Sequence, residues 1–192
     1  MSQFEGLTAG TWVIDPMHSE VGFTVRHLMS KVRGKFERFE GSVVVGDEPD
    51  QSVATATIEL DSINTGTQQR DDHLRSGDFF GAEVTPHMTF SSTGIKLEGD
   101  SVTVAGDLTI KGVTHQVELD VEFLGTGHDA YGGLRAGFEA STVISRREWG
   151  IDFNIPLEGG KLMIGDKITV HLNVEAVLQP QEAEASAEAL TV

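Results

Sequence analysis

Cysteine is absent from the 192 residues, which excludes a disulfide framework, a thiolate zinc site and a cysteine nucleophile. Cations are few: 14 Lys and Arg stand against 30 Asp and Glu, a formal net charge of −16 at pH 7. A field of that sign repels phosphate backbones and anionic membrane surfaces, so nucleic acid is not an expected partner. Long apolar runs are missing as well. Stretches such as residues 43–45 are a few residues long, far below the roughly 20 that a membrane-spanning helix needs, so no integral membrane segment is expected. Residues 1–10 carry neither a basic stretch nor an apolar run of signal-peptide length, and the chain as written is expected to be cytoplasmic.

What is there is enough apolar material, 39% of residues, for one sizeable core. Glycine is abundant at 22 residues, and Val, Ile, Thr and Phe recur in short alternating runs, the pattern of strands joined by tight turns. Val21, Phe23 and Val25 alternate with Gly22, Thr24 and Arg26. Val117, Leu119, Val121 and Phe123 alternate with three acids, and Ile168, Val170, Leu172, Val174, Ala176 and Leu178 alternate with polar residues up to Glu175. About eight such strands follow one another with short connections. The reading is all-β, an eight-stranded antiparallel barrel with one or two short helices; a two-sheet sandwich has the same alternation. The helices are expected at residues 68–75, with Thr67 or Thr65 as cap, and at residues 27–31. Residues 1–10 read as an N-terminal extension, 11–178 as the barrel and 179–192 as an acidic, disordered tail.

Several motifs in this order resemble the YceI-like family of polyisoprenoid-binding, lipocalin-like barrel proteins. They are Trp12 to Asp15 with His18, Ser19, Phe23 and His27; Gly34 to Phe36 with Phe39 to Gly41; and Ser62 to Thr65 with Arg70 to Leu74 and Asp78 to Phe80. Pro86 to Ser92, Leu108 to Thr114 and Ile144 to Gly150 complete the set. The family usually reads Asp-Phe-Gly after the arginine, whereas this chain has Glu148, Trp149 and Gly150. The resemblance implies a closed barrel whose lumen holds a long isoprenoid, a polyisoprenoid or an isoprenoid quinone, with no required cofactor or metal. It also admits a homodimer.

A polyprenyl chain offers nothing to hydrogen-bond, so its site needs apolar walls and space more than a motif. Trp12, Phe23, Phe36, Phe39, Phe80, Phe90, Phe138 and Trp149 are the candidate walls or barrel ends, with small residues between them leaving room. The same aromatics also fit a barrel filled by its own side chains. Lys31, Arg33, Arg146 and Arg147 are the cations available to an anionic head group, with a structural pairing the favoured role for Arg146. Asp15, His18 and Ser19, together with Asp72, read as a structural polar cluster. The histidine spacing contains no helical zinc pair, so no metal site is expected. The favoured function is non-catalytic binding, sequestration or transport of an isoprenoid. The alternatives are an enzyme using the Asp15–His18 region or the Arg146–Glu148 pair for acid–base chemistry on an apolar molecule, and a filled-barrel stress module.

Overall fold

The computed structural model describes residues 4–48, 51–99 and 101–180. Most of the tail expected after residue 178 therefore lies outside the described residues. The strands are β1 (Gly10–Ile14), β2 (Glu20–His27), β3 (Ser30–Phe36), β4 (Phe39–Val45), β5 (Val53–Glu59) and β6 (Ile63–Asn64). After the helix α1 (Gln68–Arg75) come β7 (His87–Glu98), β8 (Ser101–Ile110), β9 (Val113–His128), β10 (Leu134–Ser145) and β11 (Ile164–Leu178). No helix among the described residues is long and apolar enough to cross a membrane.

Every pairing is antiparallel, and three pairs of short strands act as broken long ones. β11 pairs with β1 through Leu178↔Trp12 and with β2 through Val170↔Phe23. β4 pairs with β1 while β3 pairs with β2, and β5 continues into β6 beside them. With each broken strand counted once, the circuit has eight positions, each next to its sequence neighbour, and β11 closes it on β1 and β2. The barrel expected from alternation is therefore the architecture, and closure leaves most backbone groups paired.

Local chemistry accounts for the breaks. Between β1 and β2, Pro16 has no N–H to give to a ladder, and Asp15 Oδ1 accepts from Met17 N at 3.0 Å in a turn of its own. Between β3 and β4, buried Ser62 Oγ accepts from the amides of Glu37 and Arg38, at 3.2 and 3.0 Å. A 3-10 turn over Leu60–Ser62 links β5 to β6.

Residues 27–31 are not helical. Leu28 and Met29 form a two-residue hairpin loop between β2 and β3, with His27 opposite Ser30 and Leu28 in the left-handed region at φ 54°. Leu and Met favour helix, but the alternating strands on both sides impose pairing on the few residues between them. Helix α1 is present as expected. Thr67 stands at its N-cap position without a side-chain cap bond. An isolated eight-residue helix is marginal in water, and this one is tied down by polar contacts: Arg75 donates to the carbonyls of Asp61 and Ile63 at 2.7 and 2.9 Å. Buried Asp71 accepts from Thr65 N at 2.9 Å. Within the expected N-terminal extension, the Phe4 ring lies 5.6 Å from that of Phe123 and Leu7 packs against the buried cluster of Trp12, Ala136 and Ala176.

Candidate functional site: an apolar lumen with one buried arginine

The inward positions of the alternating strands enclose two chambers. The first, of about 220 Å³, lies beneath α1 and is walled by Phe23, Phe36, Phe39, Phe80, Phe90 and Trp149, among other apolar residues. The second, of about 360 Å³, extends toward the β4–β5 rim at Asp47 and Ser52 and is walled in part by Phe90, Phe138, Phe4 and Leu7. Ile14, Ala56, Phe90, Leu119, Leu172 and Val174 border both chambers and form a waist between them. Glycines make the wall thin where rings cross it. A Cβ on Gly106 would stand 2.4 Å from the Phe90 ring, and one on Gly34 would stand 2.5 Å from Phe23, closer than carbon atoms approach without displacement.

Seven of the eight expected aromatic residues line this space. Trp12 does not. It is fully buried among Ala136, Ala176 and Leu178, and its Nε1 donates to the Thr8 carbonyl at 3.0 Å. It is an end plug, because its place on β1 lies below the inward residue Ile14 that reaches the cavity. Trp149 both plugs and lines. It ends the 3-10 turn Arg146–Trp149, which is closed by Gly150 in the left-handed region. Its Nε1 donates to the Leu108 carbonyl at 3.2 Å, and His115 stands edge-on at 5.1 Å. Phe79 and Leu74 also line the first chamber. They follow no strand alternation, so periodicity gave no signal for them.

The four candidate head-group cations separate. Lys31 and Arg33 are exposed on the outer face of β3, where they alternate with inward Val32 and Gly34, and they do not reach the lumen. Arg147 is half-exposed, with Nε 3.9 Å from Asp166. Arg146 is 4% exposed and lines the first chamber. Its Nε donates to the Gly165 carbonyl at 3.1 Å, and one terminal nitrogen donates to the carbonyls of Ile151 and Phe153 at 2.7 and 2.9 Å. The other terminal nitrogen is buried with no hydrogen-bond partner. Burial, and then the neighbouring Arg147, push the Arg146 guanidinium below its usual basicity. A buried cation with an idle donor in an apolar wall is costly in isolation. Among the described residues it is the one charged side chain lining the first chamber.

The expected polar cluster forms, with changed membership. Asp15 meets His18 Nδ1 at 2.8 Å, and Ser19 Oγ accepts from Glu175 N at 2.9 Å. Asp72 is elsewhere: it is exposed on α1 and paired with Arg75 at 2.9 Å, because the helix turns its neighbour Asp71 inward instead. The organiser is Arg135, which bonds Asp15 at 2.8 Å, Asp129 at 2.8 Å and Glu175. Arg135 followed by His18 holds the Asp15 carboxyl down to about 2, and Arg135 also lowers that of Asp129. Asp15, His18 and Glu175 bring ligand-type atoms within 4.8 Å of one another, but the Arg135 guanidinium already occupies both carboxylates. The cluster lies on the outside of the barrel end, with His18 exposed. Among the described residues, the ionisable ones lining the chambers are Arg146 and Asp47.

Comparisons with known proteins agree with this geometry. A UPF0312 protein of Staphylococcus epidermidis is 42% identical over 165 residues, spanning 84% of this chain and 94% of that protein. The crystal structure of a Campylobacter jejuni YCEI protein superposes with a TM-score of 0.67 at 27% identity, over 81% of this chain and 90% of that one. A polyisoprenoid binding domain from Saccharophagus degradans shares the fold, with a TM-score of 0.64 at 15% identity, over 90% of this chain and all of that one. The sequence profile of the YceI-like domain matches residues 12–176: the chain belongs to the YceI-like family.

Proposed function

We propose that this protein is a non-catalytic carrier that holds one long-chain isoprenoid, a polyprenyl chain or an isoprenoid quinone, and so keeps it from water. The observation that carries the reading is the pair of apolar chambers joined at a waist. Each methylene withdrawn from water contributes about 0.8 kcal/mol, so several isoprene units suffice for tight retention without polar contacts. Ordering a flexible chain offsets part of that gain. The S. degradans domain, named for binding polyisoprenoids, supports the same ligand class. In this reading Arg146 donates its free N–H to the polar end of the guest, a quinone carbonyl or a phosphate oxygen.

The test is organic extraction of the purified protein followed by mass spectrometry. About one isoprenoid per chain is expected. An empty lumen that also fails to take up prenyl chains overturns the reading. The role of Arg146 is tested by loading emptied protein with an isoprenoid quinone and with a hydrocarbon of equal length. A hydrogen bond to a charged group contributes about 1.5–3 kcal/mol, so the quinone is expected to be retained roughly tenfold or more tightly. Equal retention removes Arg146 from the site.

A further inference from the structure

Apart from Glu20 at its far end, the outer face of the β2–β3 hairpin is the reverse of the rest of the molecule in charge. Arg26, Lys31, Arg33 and Lys35 are all exposed there, on a chain with a net charge of −16. Arg26 stands directly opposite Lys31 in the ladder, and Lys35 and Arg33 are opposite Gly22 and Thr24. Like charges placed directly across a strand pair are destabilising. None of the four cations forms an ion pair among the described residues, whereas Arg38, Arg75 and Lys96 do. Exposed Lys167 of the adjacent β11 extends the patch. Asp166, next to Lys167 on β11, faces Arg147.

The same hairpin ends in bare hydrocarbon. Met29 is 97% exposed and Leu28 47%. Leu28 N donates to the Met163 carbonyl at 2.9 Å, and Met163 N donates to the Ile155 carbonyl at 3.0 Å. These bonds set the tip beside the exposed side chains of Ile155 and Leu162. An apolar tip with a basic collar is the arrangement that inserts into the interface of an anionic bilayer while its cations meet lipid phosphates. A nucleic acid duplex would use the collar but has no use for the tip.

We propose that the β2–β3 hairpin, with Met29 and Leu28 at its tip and Arg26, Lys31, Arg33 and Lys35 on its outer face, docks the protein on an anionic lipid surface. The patch begins next to the wall of the first chamber, since Val25 and Ile164 line it and His27 pairs with Ile164. Docking here therefore brings the lumen end that holds Arg146 close to the bilayer. The inference stands on the outer face alone and does not depend on what the lumen holds.

The experiment is flotation of the full chain with two kinds of vesicle, pure phosphatidylcholine and an equal mixture of phosphatidylcholine with phosphatidylglycerol. Binding to the mixed vesicles, weakening with added salt, is expected, with little binding to the neutral ones. Two double variants separate the parts. Lys31→Glu with Arg33→Glu is expected to weaken binding at least roughly tenfold, from a contribution of about 1 kcal/mol per basic residue near the surface. It should leave the melting temperature unlowered, because the carboxylate placed at position 31 would face Arg26 across the ladder. Leu28→Asn with Met29→Ser weakens binding while suiting the left-handed position 28. No binding to either vesicle overturns the proposal, as does equal binding to both or binding indifferent to both variants. A short DNA duplex bound as tightly as the anionic vesicles overturns it in favour of a nucleic-acid surface.

Discussion

Strand β10 and the turn that follows it carry an arginine toward each end of the barrel, and the two are used in opposite ways. Arg135 sits on the outside and is surrounded by three carboxylates, Asp15, Asp129 and Glu175. Arg146 sits in the wall of the first chamber with three backbone carbonyls, no carboxylate in ion-pair contact among the described residues, and one terminal nitrogen without a partner. The first satisfies a cluster that would otherwise repel itself. The second closes a turn and still has a donor to spare. The structural role of Arg135 and the proposed ligand-facing role of Arg146 are thus told apart by what remains unpaired, since both are well held.

Removing each arginine should separate the two roles. Arg146→Met leaves the carbonyls of Gly165, Ile151 and Phe153 without their donor inside the wall, and is expected to cost about 3 kcal/mol. For a chain of this size that is a fall of roughly 10 °C in Tm by calorimetry, together with changed selectivity among co-purified lipids. Arg135→Met leaves three carboxylates facing one another in a partly hydrated site, where water screens much of the repulsion. A smaller fall in Tm is expected, with the lipid profile unchanged. A profile altered equally by both variants would erase the distinction.

Acid titration sharpens it further. The Asp15 carboxyl is held at about 2 against an ordinary 3.8, and Asp129 is lowered as well. A carboxyl lowered in the native state contributes stability that is complete above its ordinary value and lost as pH falls through its native one. The wild-type Tm should therefore decline steeply between about pH 4 and pH 2, while Arg135→Met should show a shallower slope over that window. The smallest expected effect is that of His18→Ala. The ring is 59% exposed, and an exposed pair of this kind contributes at most about 0.5 kcal/mol. A larger loss would make His18, with Arg135, an organiser of the cluster.

The barrel was legible because a wall with a dry side and a wet side writes itself as alternation. Val117 to Phe123 and Ile168 to Leu178 carry it almost unbroken, and they form long strands. The strand breaks were less visible, since Ser62 reaches Glu37 and Arg38 across more than twenty residues of sequence. The same distance hid Arg135, whose Asp15 partner is 120 positions away. Residues 27–31 misled for the opposite reason: their helix-favouring side chains are a local signal that cross-strand pairing overrides. Alternation and resemblance put all eight aromatics at the lumen; seven line it and Trp12 does not, because inward-facing and cavity-facing are different properties at a packed end. Of the four cations, only burial distinguishes Arg146, and burial is not written in an arginine's neighbours.

The short strand β6 has β3 on one side and no strand on the other. Past it the barrel is shut by α1 and the stretch that follows, through Leu74, Phe79 and Phe80 packed on the buried clusters around Phe36 and Trp149. Elsewhere the staves are riveted by backbone hydrogen bonds; here they are only caulked. Parting the seam breaks the bonds of Arg75 and Asp71 to the chain before α1 but leaves every ladder intact, so in the proposed carrier loading a greasy cargo and keeping a stable container place no conflicting demands on the fold.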